Sequence, residues 1–180
     1  MTNVPYFYAS GKRVPLEVES SLWALDTEAL AFAMIAESVR RRILADARRL
    51  RGKYVLAQVP LAALESLRAV HAVQLVYRAA DAMLVALPEV RVEESRPDTL
   101  RRLRDWLASR RQRIDVSEPE AGRLTLRPCS GDAEEALEIA NALQEEITPE
   151  VAEARFIRSV PSPDLPSRIR PFGPRSSRDA

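Results

Sequence analysis

Cysteine, histidine and glycine are scarce in this chain of 180 residues, which contains one cysteine, one histidine and five glycines. A single cysteine, Cys129, excludes an internal disulfide and any zinc site built from several cysteines, and it fits a reducing cytoplasm. The glycines stand apart from one another at predicted turns. The chain therefore has no glycine-rich loop with which to hold a phosphate group.

Long apolar runs and an excess of one charge are also missing. No stretch approaches the ~20 apolar residues that span a bilayer, and residues 1–11 lack the basic start and apolar run of a signal peptide. The 27 basic residues balance 26 acidic ones, for a formal net charge of +1. Charge gives no reason to expect nucleic acid or a membrane as a partner. We expect a cytoplasmic protein.

Residues that could carry catalysis are few and isolated. The one histidine, His71, lies between a predicted helix and a predicted strand, and no G-x-S-x-G motif supplies a serine partner. Cys129 follows Pro128 at a strand end, where a packing role is more typical than a nucleophilic one. We expect a protein that is not an enzyme, with no catalytic residues, no metal site and no cofactor.

Two groups of arginines, at residues 40–51 and 101–113, are the remaining candidates for a charged binding site. Sheets of the kind predicted below bind RNA through aromatic side chains on their central strands. The candidate central strands here offer Tyr54 in one case and Leu124 and Leu126 in the other, with no aromatic pair. We interpret the arginines as a solvated basic surface that is balanced by acidic helices.

The first half of the chain begins with a predicted β-hairpin. Residues 6–8 and 14–17 are rich in aromatic and branched side chains and flank a turn that contains Gly11. A short apolar strand at residues 22–25 follows, and Asp26 then takes the N-cap position of a helix. The apolar positions of that helix recur at helical spacing, at Ala31, Met34, Ile35 and Val39.

Residues 43–50 allow two interpretations. Gly52 favours a hairpin between strands at residues 43–49 and 54–59. The alanine, leucine and arginine content instead favours a helix that continues through Leu50. We prefer the hairpin, although the sequence leaves strand or helix open for residues 43–50.

The remaining elements have clearer patterns. Strands are predicted at residues 73–77, 90–92, 114–116, 124–126 and 151–159. Three helices are predicted, one from Pro60 with Leu61, Leu64 and Leu67 on one face, one from Pro97 with Leu100, Leu103, Trp106 and Leu107, and one from Asp132 with Ala136, Ile139, Ala140, Leu143 and Ile147.

The second half has the element order β-α-β-β-α-β of a ferredoxin-like split sandwich, and the first half repeats this order after its hairpin. Matching strands are offset by 68 or 69 residues, as for Leu22 and Val90. We therefore predict the α+β class with two tandem ferredoxin-like modules, each with an antiparallel sheet and helices on one face. The expected boundaries are 1–80 for the hairpin and first module, 81–160 for the second module, and 161–180 for a Pro/Arg-rich, extended and partly disordered tail.

Two segments of the second half carry a resemblance to a known family. ALEIANAL at residues 136–143 and AEARFI at residues 152–157 resemble the end of the N-terminal prodomains of bacterial subtilisin-like serine proteases. In those prodomains a helix close to ALELANAL precedes a strand close to AEPNF. The opening segment YFYASGKRVPL at residues 6–16 is similar to the aromatic, glycine-turn start of the same prodomains. The resemblance spans roughly residues 5–160, mostly at core-packing positions.

The chain departs from this family at two points. Ala154 and Arg155 stand where the family has Pro-Asn before the equivalent of Phe156. The Asp, His and Ser motifs of the protease itself, G-T-S-M-A among them, are absent. The resemblance therefore implies a prodomain without its protease, which inhibits or assists the folding of a separately encoded protease in trans.

Such prodomains place their C-terminal segment in the protease cleft as an extended strand, held by main-chain hydrogen bonds. By position, the implied partner-binding residues are Arg155, Phe156, Ile157, Arg158, Ser159, Val160 and Ser162. Phe156 and Ile157 can also simply complete the sheet of the second module. The alternative function is an adaptor or cleavable substrate in a protease-centred bacterial pathway, such as stress or defence, docked or cut at Arg168, Arg170, Arg175 or Arg178.

Overall fold

The computed structural model describes residues 4–79 and 82–159. Within these ranges the chain forms ten strands and five helices, which confirms the α+β class. The strands are β1 (Tyr6–Ala9), β2 (Lys12–Pro15), β3 (Glu17–Asp26), β4 (Arg48–Arg49), β5 (Tyr54–Ala57), β6 (Val73–Ala79), β7 (Ala82–Glu93), β8 (Ile114–Glu120), β9 (Arg123–Pro128) and β10 (Val151–Ser159). The helices are α1 (Thr27–Leu30), α2 (Glu37–Ala45), α3 (Leu61–Arg68), α4 (Pro97–Ala108) and α5 (Ala133–Glu146). None of these helices is long and apolar enough to cross a membrane.

The strands form two antiparallel sheets. Among the described residues, β1 pairs with β2 alone, and the other eight strands form one larger sheet. In the first half of the chain the strand order is β6-β3-β5-β4, and in the second half it is β10-β7-β9-β8. Each half thus places its fourth strand beside its first, followed by its third and then its second.

β7 joins the two halves because three strands pair with it. β10 pairs with β7 over most of its length, from Met83 to Glu93. β6 pairs with residues 82–85, and β9 pairs with residues 90–93. Because a strand has only two hydrogen-bonding edges, β6 and β9 lie end to end along the edge of β7 that faces away from β10.

The helices of both halves pack on the same face of the large sheet. In the second half, buried residues of α4, α5 and the sheet form one cluster, which includes Leu103, Leu143, Val90, Val92, Leu126 and Tyr77. In the first half, a second cluster includes Leu30, Ile43, Leu64, Leu67, Leu25 and Val73. Val73 and Tyr77 are four residues apart on β6, so both clusters lie on one face of that strand.

The N-terminal hairpin packs on the second half of the chain. The hydroxyls of Tyr6 and Tyr8 donate to one carboxylate oxygen of Glu145 in α5, at 2.8 and 3.1 Å. The ring centroid of Phe7 lies 5.1 Å from that of Phe156 in β10. The hairpin of β1 and β2 thus contacts both α5 and β10.

The helix expected after Asp26 is interrupted. Asp26 caps α1 as predicted, because its carboxylate accepts from two backbone amides of the first turn. However, α1 ends at Leu30, and the backbone is extended at Ala36, before α2 begins. The break removes Met34 from the buried stripe and leaves it 89% exposed, while Ala33 is buried instead. The prediction of one continuous helix was therefore wrong.

Residues 43–50 combine the two interpretations. α2 extends through Ile43 to Ala45, so a strand at these positions was wrong. The hairpin around Gly52 is present, but its first strand is only the pair Arg48–Arg49, which lies opposite β5.

The other helices follow their predicted stripes with one clear exception. Leu64 and Leu67 of α3 are buried, but Leu61 is 86% exposed because it lies in the first turn of the helix. α5 buries all five of its predicted positions and begins after the predicted cap Asp132, which accepts from the amide of Glu134 at 2.8 Å.

Candidate functional site

The predicted partner-binding segment lies in β10, at an edge of the large sheet. Arg155, Phe156, Ile157, Arg158 and Ser159 form the second half of this strand, and the last four pair with residues 86 to 83 of β7. These residues therefore complete the sheet, which is one of the two roles considered for them. The other predicted positions, Val160, Ser162, Arg168, Arg170, Arg175 and Arg178, lie outside the described residues.

The side chains of β10 alternate between the two faces of the sheet. Phe156 lies on the helix side, against Phe7 of the hairpin. Ile157 is 9% exposed and lies on the other side, in a cluster with Val85. Arg155 and Arg158 are exposed. The apolar side chains of the segment thus hold β10 in place, while its charged side chains face solvent.

One edge of β10 has no strand beside it within residues 4–79 and 82–159, where the strand pairs only with β7. An edge strand presents a row of backbone N–H and C=O groups that lack ladder partners. An extended segment of another protein can add to such an edge by main-chain hydrogen bonds. The geometry of β10 is therefore compatible with strand addition along its nine residues.

A bulge in β7 lies opposite Arg155. Between Ala86 and Val90, β7 has three residues where β10 has one. Pro88 falls inside this bulge, and it has no amide hydrogen to contribute to a ladder. The extra residues include Glu89, whose side chain meets that of Arg155.

Glu89 is held by two arginines from neighbouring strands. Arg155 of β10 contacts one of its carboxylate oxygens at 2.6 Å, and Arg127 of β9 contacts the other at 2.7 Å. Burial acts to raise the pKa of Glu89, but the hydrogen bonds and charges of Arg155 and Arg127 outweigh it and hold the pKa below its ordinary value. The carboxylate thus ties β9 to β10 across β7.

A third apolar cluster lies on the sheet face opposite the helices. Its centre contains Ala24, Leu56, Val76 and Val85, and their strand neighbours Leu25 and Tyr77 belong to the helix-side clusters. No member of this cluster lies in a helix. We call it the strand-face patch, and it consists of Ala24, Leu56, Val76, Val85 and Ile157 at the centre with Leu22, Leu50, Tyr54, Met83 and Leu87 half-buried around them.

The same face is charged in the second half of the chain. Arg91 and Glu93 of β7 alternate with the buried Val90 and Val92 of the helix side, so they project onto the helix-free face. A shallow groove of about 280 Å³ lies on this face, and its lining includes Arg91, Glu93, Arg123, Glu89 and Arg155. The helix-free face thus has an apolar half and a half in which arginines and glutamates alternate.

The two residues considered for catalysis, His71 and Cys129, both lie in turns. His71 lies in the turn after α3 with a positive φ of 52°. Cys129 is exposed, and desolvation together with the nearby Asp115 raises the pKa of its thiol, which lowers its thiolate fraction. Within the described ranges, no group of three or more histidine, cysteine, aspartate or glutamate side chains is arranged to hold a metal ion.

Comparison with known protein families, with characterised proteins and with solved structures finds no match to this chain.

Two features of these surfaces were missed in the sequence. The strand-face patch could have been predicted in part. Residues 82–87 are apolar at every position, a pattern typical of a strand buried on both faces. No sequence pattern predicts the contact of Glu89 with Arg127 and Arg155, since the three residues are far apart in the chain and meet only through strand pairing.

Proposed function

We propose that this protein binds a subtilisin-like protease and regulates it, either as an inhibitor or as a folding chaperone, in the manner of a protease prodomain. We further propose that its two halves are tandem ferredoxin-like modules. The strand order fourth-first-third-second in each half supports this second statement, since it is the order in which βαββαβ units pair their strands.

The observation that carries the functional proposal is the helix-free sheet face beside the edge strand β10. A sheet face without helices, apolar in one half, lies next to an edge strand whose outer backbone groups have no ladder partner among the described residues. Half-buried Leu22, Met83 and Leu87 give this face the apolar area that a protein partner would cover. β10 ends at Ser159, and Val160 and Ser162, the remaining predicted partner-binding residues, follow it in the sequence.

An inhibition assay tests the proposal. The chain is added to a bacterial subtilisin-like protease, and turnover of a small chromogenic peptide is measured. We expect competitive inhibition by the full chain, and weaker inhibition by a chain that ends at Ser159, because Val160 and Ser162 are then removed while β10 remains complete.

A matched pair of variants tests the docking face. Leu87→Glu places a charge at the rim of the strand-face patch, and we expect it to weaken inhibition by about tenfold or more. Leu61→Glu makes the same change at an exposed position on the helix side, and it should leave inhibition unchanged. Equal effects of the two variants on inhibition would show that the protease does not bind at the strand-face patch.

The assay also separates the alternative function. Cleavage after Arg168, Arg170, Arg175 or Arg178 without inhibition of peptide turnover would indicate a substrate or adaptor. If several subtilisin-like proteases are neither inhibited, nor bound, nor helped to refold by the chain, the functional proposal is wrong.

A further inference from the structure

The large sheet has three edge strands among the described residues, and two of them are protected against pairing with another chain. β4 is only two residues long, and both are arginines. β8 contains Pro119 and carries Asp115, Glu118 and Glu120, so a second copy of it would meet like charges. Short length, proline and uniform charge are the usual protections of an edge strand. β10 is nine residues long, contains no proline and carries charges of both signs.

The sequence of β10 is complementary to itself when two copies run antiparallel. A two-fold axis through Ala154, perpendicular to the sheet, sets Glu153 of each copy opposite Arg155 of the other. The dimer therefore contains two such pairs. On the other face the same register sets Ala152 opposite Phe156. Opposite charges and an apolar pair at directly facing positions are the interactions that stabilise antiparallel strands.

Neighbouring registers lack this match. An axis through Glu153 or through Arg155 sets that residue opposite its own copy, and like charges in facing positions destabilise a strand pair. An axis through Phe156 sets Arg155 opposite Ile157. The two-fold axis must pass through a residue, because directly facing side chains in an antiparallel pair lie on the same face of the sheet.

We propose that two copies of this chain associate through β10, in the register centred on Ala154, to form one continuous sheet across the dimer. Glu153 and Arg155 are both exposed on the helix-free face, where they are free to contact the second copy. Arg155 uses one terminal nitrogen for Glu89, and a guanidinium group has further donors for a second carboxylate. The pairing does not depend on protease binding.

Sedimentation of the purified chain over about 5 to 200 µM tests the proposal, because a strand-pair contact of this size gives a weak dimer. We expect a concentration-dependent dimer. Glu153→Arg and Arg155→Glu each create two like-charge pairs, and each should raise the dimer dissociation constant by about tenfold or more. An equimolar mixture of the two variants restores both opposite pairs, so it should form a heterodimer at wild-type concentrations. Glu65→Arg, an exposed reversal on α3, is the matched control and should leave the dimer unchanged.

The outcomes are decisive. A wild-type chain that stays monomeric at about 200 µM overturns the proposal. A dimer that neither single reversal weakens also overturns the proposal. The same holds if the mixture of the two variants stays monomeric while both variants are folded. Because Arg155→Glu also faces Glu89, its melting temperature is measured first. If it has fallen, Glu89→Gln with Arg155→Glu removes the internal repulsion and takes its place in the mixture.

Discussion

Among the glycines that the structure describes, Gly122 is the one whose replacement by alanine should lower the free energy of unfolding most. It lies in the turn between β8 and β9 with φ at +77°, and a Cβ there would overlap the backbone carbonyl oxygen of Glu94. The turn is tied to the residue that follows β7, since the amide of Glu94 donates to the carbonyl of Gly122 at 2.9 Å. The obstacle is backbone and not the end of a flexible side chain, so it has no easy way to move.

The cost of Gly122→Ala has two parts. A left-handed backbone conformation costs a residue with a Cβ about 1–2 kcal/mol. Forcing an extra carbon into a filled space adds about 1–3 kcal/mol. We expect a loss of roughly 3 kcal/mol in the free energy of unfolding, which corresponds to a fall in melting temperature of about 6–12 °C for a chain of this length.

Gly52 separates the two parts. Its φ of +67° is similar, but a Cβ there would meet no atom within 4 Å. Gly52→Ala should therefore cost only the backbone part, about 1–2 kcal/mol. Urea unfolding of both variants, followed by tryptophan fluorescence, gives the comparison. If the two losses agree within about 0.5 kcal/mol, the close approach of Gly122 to Glu94 contributes nothing and the reasoning is refuted.

Three further predictions concern the core, the Glu89 contact and the hairpin. Leu143→Ala in α5 should lower the free energy of unfolding by about 2–5 kcal/mol in urea, because Leu143 is fully buried; a smaller loss would mean that the helix packs loosely. Glu89 has a lowered pKa when folded, so it stabilises the protein above about pH 4.3 and this contribution is lost as the pH falls through its folded pKa. Glu89→Gln should thus have a lower free energy of unfolding than wild type at neutral pH, by about 1 kcal/mol or less. Urea titrations at several pH values should show this difference disappear in acid; a difference that does not change with pH would contradict the prediction. Phe7→Ala should speed hydrogen exchange of the hairpin amides while the β8–β9 amides stay protected, because it removes the ring that contacts Phe156; uniform loss of protection would argue against local docking.

α5 and β10 could be predicted closely from the sequence, for a physical reason. α5 has a cap, a five-position apolar stripe and a proline after its end, and each of these local signals favours the same helix. β10 was predicted with its observed bounds, Val151–Ser159, in the stretch between Pro149 and Pro161. Local preference and tertiary packing agree in these elements.

The first half shows where local signals fail. Residues 31–36 contain neither glycine nor proline, so nothing in the sequence interrupts the helix pattern there. At the break Ala33 is buried, while Phe32 and Met34 are exposed at 77% and 89%. The self-complementary edge of β10 was hidden for another reason. The significance of Glu153 and Arg155 depends on which edge of the sheet lacks a strand, and strand pairing alone determines that.

The docking of the N-terminal hairpin has a consequence for how the chain is made. Tyr6 and its partner Glu145 are separated by 139 positions. At a synthesis rate of about 5–20 residues per second, the hairpin leaves the ribosome on the order of ten seconds before its docking site on α5 exists. During that time its three aromatic side chains have no partner from α5 or β10. The contacts between the hairpin and α5 would then be among the last to form.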